Sequence, residues 1–125
     1  MDLNMKVLVV DDFETMRRIL KNILKQIGFT KIIDADDGST ALAMLKKDKV
    51  DLIISDWNMP KVSGLELLKA VRSDESIKDM PFLMVTAEAQ KDSVVQAIQA
   101  GVSNYVVKPF TPEAIKEKLE QIFKK

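Results

Sequence analysis

Five short apolar runs, Val7 to Val10, Ile32-Ile33, Leu52 to Ser55, Phe82 to Val85 and Tyr105 to Val107, alternate with segments in which apolar residues recur every three or four positions. Five such alternations demand right-handed crossovers and a parallel sheet covered on both faces, and the runs are rich in Val, Ile and Leu, as doubly covered strands should be. The fold class that follows is α/β, a doubly wound five-stranded parallel sheet with five helices. Lys31-Ile32-Ile33-Asp34-Ala35 is the most polar run and is expected at a sheet edge. A length of 125 residues, 46% of them hydrophobic, suits one domain spanning 1–125, with no second domain and no output domain after Lys125.

The helical segments carry readable ends. Met16, Ile19, Leu20, Ile23, Leu24 and Ile27 form a stripe that stops at Gly28, and Asp12 is placed to cap its start. A second helix is expected from about Ser39 to Lys47, with Ala41, Leu42 and Leu45 inward. A third opens on Ser63-Gly64-Leu65-Glu66, a capping-box spacing, and buries Leu65, Leu68 and Val71. The fourth, about Lys91 to Ala100, turns Val94, Val95 and Ile98 inward. The fifth starts at Thr111-Pro112 and carries Ile115, Leu119, Ile122 and Phe123.

Four of the five runs end in chemically loaded residues: Asp11-Asp12, Asp56, Thr86 and Lys108. In an open parallel sheet the carboxyl ends of the strands converge where ligands bind. Three carboxylates, a hydroxyl and an amine at one rim suit a divalent cation and a phosphoryl group. Hard cations take oxygen ligands, and crowded carboxylates raise one another's pKa unless a cation or the Lys108 ammonium lies among them. A carboxylate at a strand end can attack phosphorus, and Asp56 is placed for that role. Plainer readings exist for each residue. Asp11 and Asp12 could cap the first helix, Asp56 to Pro60 has turn composition, Lys108 could be a solvated strand end, and Thr86 an ordinary cap.

Composition removes other chemistries. The chain has no histidine, hence no Ser-His-Asp catalysis, no imidazole ligand and no phosphohistidine of its own. It has no cysteine, and no glycine-rich loop that would cradle a nucleotide. Nineteen basic residues balance nineteen acidic ones, which offers nothing to nucleic acid or a membrane surface, so Arg17-Arg18 is expected on a solvated helix face. Neither a signal peptide nor a run of the ~20 apolar residues a membrane span needs is present. Two other aspartate- or phosphate-handling classes fit poorly. A haloacid-dehalogenase-like phosphatase needs a second acid where Asn58 stands, and a flavodoxin-like carrier would meet repulsion from Asp11-Asp12.

Val7 to Arg18, Ser55-Asp56-Trp57-Asn58-Met59-Pro60, Val85-Thr86-Ala87-Glu88 and Val106-Val107-Lys108-Pro109-Phe110, in this order and spacing, resemble the response-regulator receiver domain over essentially the whole chain. The resemblance implies strand order 2-1-3-4-5, of which this family is itself a standard example; alternation of strand and helix by itself leaves the order open. It implies Mg²⁺ held by Asp12, Asp56 and the Asn58 backbone carbonyl, with Asp11 acting mainly through water. It further implies phosphorylation of Asp56 by a sensor histidine kinase, with Lys108 and Thr86 at the phosphoryl oxygens and a cis Lys108-Pro109 bond. Thr86 and Tyr105 would form a switch, Asn58 and Glu88 would tune dephosphorylation, and Tyr105, Val107, Phe110, Thr111 and Lys118 would line a partner face. From the residues alone, Tyr105 is an ordinary half-buried aromatic, Val107 and Phe110 could be core, and Lys118 surface charge. For a chemotaxis receiver the resemblance implies the flagellar motor switch protein as partner, a phosphatase as a second one, and a monomer in the bacterial cytoplasm. A stand-alone phosphorelay receiver needs the same rim and a different face. Many receivers place an acidic residue where this chain has Ser63, which keeps a helix cap and loses a charge.

Overall fold

The computed structural model describes residues 1–87 and 91–124. Glu88, expected to tune dephosphorylation, lies outside the described residues. Strands β1 (Lys6–Val10), β2 (Lys31–Ala35), β3 (Leu52–Asp56), β4 (Phe82–Thr86) and β5 (Asn104–Val107) alternate with helices α1 (Glu14–Ile27), α2 (Gly38–Lys47), α3 (Gly64–Ser73), α4 (Lys91–Gln99) and α5 (Pro112–Ile122). All pairings are parallel, in the order β2-β1-β3-β4-β5, which puts the polar β2 at one edge as expected.

Period-two alternation divides the strand residues between two cores. Val7, Val9, Leu52, Ile54, Leu83, Val85 and Val106 pack with Leu20, Ile23 and Leu24 of α1 and Ile115 and Leu119 of α5. Leu8, Val10, Ile53, Phe82 and Met84 pack on the opposite face with Ala41 and Leu45 of α2 and Leu67, Leu68 and Val71 of α3. Central strands sandwiched in this way have no polar face, which explains why β3 and β4 are buried from end to end.

Helix ends follow their capping chemistry. Asp37 accepts from the Thr40 N–H to open α2, Thr111 caps α5 ahead of Pro112, and Ser63 and Glu66 form a reciprocal capping box on α3. Gly28 closes α1 at φ +125°, a backbone that side chains rarely adopt, with its N–H bonded to Leu24 and Lys25 carbonyls.

Several sequence expectations need correction. Asp12 does not cap α1: Phe13 holds the cap position without a side-chain bond, because the Asp12 carboxylate is directed to the rim. On α3, Leu67 is fully buried and Leu65 only half-buried, since Gly64 lets the helix sit deep enough to seat Leu67 and Leu68 together. On α4, Ala97 is buried, while Val95 and Ile98 are 40% and 60% exposed. The small alanine faces the sheet, Val94 is half-buried in line with expectation, and Val95 and Ile98 face outward.

Candidate functional site

The strand register builds the site row by row. Val10 pairs with Ser55 and Asp56 with Val85, so Asp11 and Asp56 stand side by side at the end of the sheet. Thr86 pairs with Val107 one step further, which leaves Lys108 just beyond. Main-chain bonds extend the ladder past the strands: Asp11 donates to the Ala35 carbonyl at 3.2 Å, Trp57 to Val85 at 3.0 Å, and Lys108 to Thr86 at 2.7 Å. The Lys108-Pro109 peptide is cis.

Carboxylate oxygens of Asp11, Asp12 and Asp56 lie within 4.8 Å of one another. Lys108 Nζ is 3.0 Å from Asp56 Oδ1 and 3.8 Å from Asp11 Oδ2. Asp11 Oδ1 accepts from the Phe13 N–H at 2.9 Å, which turns Oδ2 toward the cluster. Among the described residues, Asp11 Oδ2 and Asp12 Oδ1 are buried without a hydrogen-bond partner. Burial pushes the Asp11 carboxyl up to about 6 against the lowering effect of the Phe13 N–H, and the neighbouring Asp56 charge raises it further. Asp56 is likewise raised, chiefly by burial, with Lys108 acting in the opposite direction.

Buried carboxylate oxygens that lack donors are costly, and a bound cation is the partner that would satisfy several at once. The residues therefore fit a hard divalent cation: three convergent carboxylates, with no imidazole or thiolate in a chain that has neither histidine nor cysteine, and two oxygens with unspent acceptor capacity among the described residues.

The structure thus brings together Asp11, Asp12, Asp56 and Lys108. Thr86 is buried at the end of β4, next to them in register. Asn58 is exposed on the loop beyond β3. Tyr105 lines a narrow space of about 10 Å³ together with Trp57, Met84, Thr86, Ser93, Val94 and Ala97. Lys118 Nζ lies 5.7 Å over the Tyr105 ring, so these two expected partner-face residues do meet. Phe110 is elsewhere: it packs toward the α1 and α5 core and, with Met16, Ile19, Lys108 and Pro109, lines a separate depression of about 330 Å³. Thr111 is exposed and engaged as the α5 cap, and Val107 is half-buried.

Two residues at the site escape the sequence reading. A Cβ at Gly64 would collide with the Asp56 carbonyl oxygen and come within 2.9 Å of Trp57 Cα, so glycine is required where α3 passes under the end of β3. Arg17, expected on a solvated face, is only 16% exposed and bonds the Asp11 main-chain carbonyl. Its position three residues before the buried Leu20 is the signal that places it inward, whereas Arg18 is exposed.

The family model for the response regulator receiver domain matches residues 7–120. The chain belongs to the response-regulator receiver family. It is 57% identical over 121 residues to a chemotaxis protein CheY of Pseudomonas aeruginosa, covering 97% of this chain and 98% of that one. With a Vibrio cholerae chemotaxis protein CheY-3 it shares 55% identity over 122 residues, covering 98% and 94%. Among solved structures, Vibrio cholerae CheY4 superposes with a TM-score of 0.89 at 37% identity, covering 96% of this receiver and 99% of that chain. Receivers of this kind take phosphate from histidine kinases, and the chain is accordingly a two-component signalling protein with a CheY-like fold. No described helix of this receiver is long and apolar enough to cross a membrane.

Proposed function

We propose that this receiver serves chemotaxis: Asp56 accepts a phosphoryl group from a sensor histidine kinase with Mg²⁺ as cofactor, and the modified protein binds the flagellar motor switch. The observation that carries the reading is Asp56 Oδ1, buried at the strand end, 3.0 Å from Lys108 Nζ and inside a three-carboxylate cluster. Asp11, Asp12 and Asp56, with the Asn58 carbonyl, would hold the ion, which supplies charge neutralisation to the phosphoryl oxygens when bound.

An Asp56 carboxylate oxygen forms the new bond to phosphorus while the bond from phosphorus to the donor's imidazole nitrogen breaks. The electron pair stays on that nitrogen, so this chain needs no acid or base of its own. Lys108 holds the Asp56 carboxylate in place beforehand and places its ammonium beside the incoming oxygens. Thr86, one row beyond Asp56 on the adjacent strand, offers its hydroxyl to the acyl phosphate and so senses only the modified state. The space beside Tyr105 has room for about one water, so the ring moves inward only if Thr86 and α4 shift. That coupling would alter the surface of α4, β5 and α5 where Tyr105 and Lys118 meet. On this reading the protein acts as a monomer in the cytoplasm; the relatives it matches over 98% and 94% of their own length are chemotaxis proteins. The alternative is a phosphorelay receiver with another partner, which uses the same rim.

Incubation with acetyl phosphate and Mg²⁺ tests the chemistry. Intact mass should rise by one phosphoryl group in the parent and stay unchanged in Asp56→Asn. Beryllofluoride should then promote capture by a motor-switch peptide. Mass gain without capture would favour the phosphorelay reading.

A further inference from the structure

We propose that Arg17 is a positioning residue for the cation site, acting through the main chain of Asp11; this deepens the receiver reading above and rests on it. Arg17 Nη1 donates to the Asp11 carbonyl oxygen at 2.8 Å, and Nε donates to Asp34 Oδ2, also at 2.8 Å. Asp34 belongs to β2 and is paired in register with Val9, so it is a fixed point of the sheet and not a loop residue. The guanidinium therefore ties the peptide between Asp11 and Asp12 to the sheet edge. On its other side the Asp11 N–H is held by the Ala35 carbonyl of the same strand.

With both its N–H and its carbonyl anchored, Asp11 cannot rotate about the chain axis. That rotation would swing the Asp11 and Asp12 carboxylates out of the 4.8 Å cluster. Like-charge repulsion among three carboxylates drives such a rotation, and Phe13 restrains only one Asp11 oxygen. Arginine suits the task because its planar fork reaches two acceptors at once, whereas a lysine offers one point charge. Lys21 also pairs with Asp34, at 3.4 Å, and has no bond to Asp11. It serves as an internal control for charge alone.

Mg²⁺ demands near-ideal octahedral geometry and Ca²⁺ tolerates irregular sites, so a lost positioning contact should penalise the two ions unequally. Calorimetric titration of the full chain with Mg²⁺ and with Ca²⁺ should show Arg17→Lys weakening Mg²⁺ roughly ten-fold, as loss of a ligand-orienting partner does. Ca²⁺ affinity should fall much less, and Lys21→Ala should leave both near parent values. Because Arg17→Lys keeps the charge and the Asp34 pair, a matching thermal melt in chelator would separate positioning from folding. Should that variant fold poorly, Asp34→Asn, which loosens the guanidinium anchor, must show the same Mg²⁺-selective loss in milder form. Equal weakening of both ions, an equal effect of Lys21→Ala, or unchanged Mg²⁺ affinity would each overturn the role of Arg17 while leaving the receiver reading intact. A parent chain that binds no Mg²⁺ would overturn both.

Discussion

Asp11 shows how far a site residue can depart from what folding alone would favour. Its carboxylate is fully buried, one oxygen has no donor among the described residues, and its pKa stands near 6. Because the folded value lies above the ordinary 3.8, the fold prefers the protonated form, and this group's contribution to stability declines as pH rises through the interval between the two. Asp11→Asn should therefore stabilise the cation-free protein at neutral pH by about 1–3 kcal/mol, the usual cost of a buried unsatisfied polar group. Urea unfolding in chelator measures this, and the variant should also show a shallower decline in stability over that interval, with the share from the raised Asp56 carboxyl remaining. The residue types at the rim are legible in the chain because each ends an apolar run. The role of Arg17 is not, since a pair of adjacent arginines on a helix reads as surface until the helix is docked and one of the two turns inward.

At the scale of elements, α2 is set by its cap. Asp37 accepts from the Ser39 hydroxyl at 2.6 Å and the Thr40 N–H at 2.8 Å, and these bonds, the hydroxyl first, hold its carboxyl below the ordinary value. The sign is opposite to that of Asp11: the stabilisation is complete above the ordinary aspartate pKa and disappears as pH falls through the folded one. Asp37→Ala should cost about 1 kcal/mol at neutral pH, and less in acid, in the same urea assay. Capping signals such as Ser63 with Glu66 are readable because they depend on local spacing. The inward face of α4 escapes periodicity for a reason of the same scale. Val95 and Ile98 match a helical period, but it is Ala97, with Val94 beside it, that faces β4 and β5, and how a helix is rotated and seated on its sheet is a tertiary quantity that periodicity does not contain.

For the molecule as a whole, the proposed cation binding would be linked to folding. A ligand present at a hundred times its dissociation constant, and bound only by the folded state, adds about 2.7 kcal/mol. Saturating Mg²⁺ should therefore raise the melting temperature, and chelator should reverse the gain. In Asp12→Ala the same Mg²⁺ concentration should give a far smaller rise, which differential scanning calorimetry would show. The topology is readable from alternation of runs and periods, whereas the strand order comes from the family, because alternation alone does not say which strands are neighbours. The chain's single tryptophan is the residue after Asp56, and its indole shares a wall with Thr86 and Tyr105. If the proposed phosphorylation moves either neighbour, the emission of that one ring should change. Such an intrinsic optical gauge would let a stopped-flow cell time the response without an attached dye.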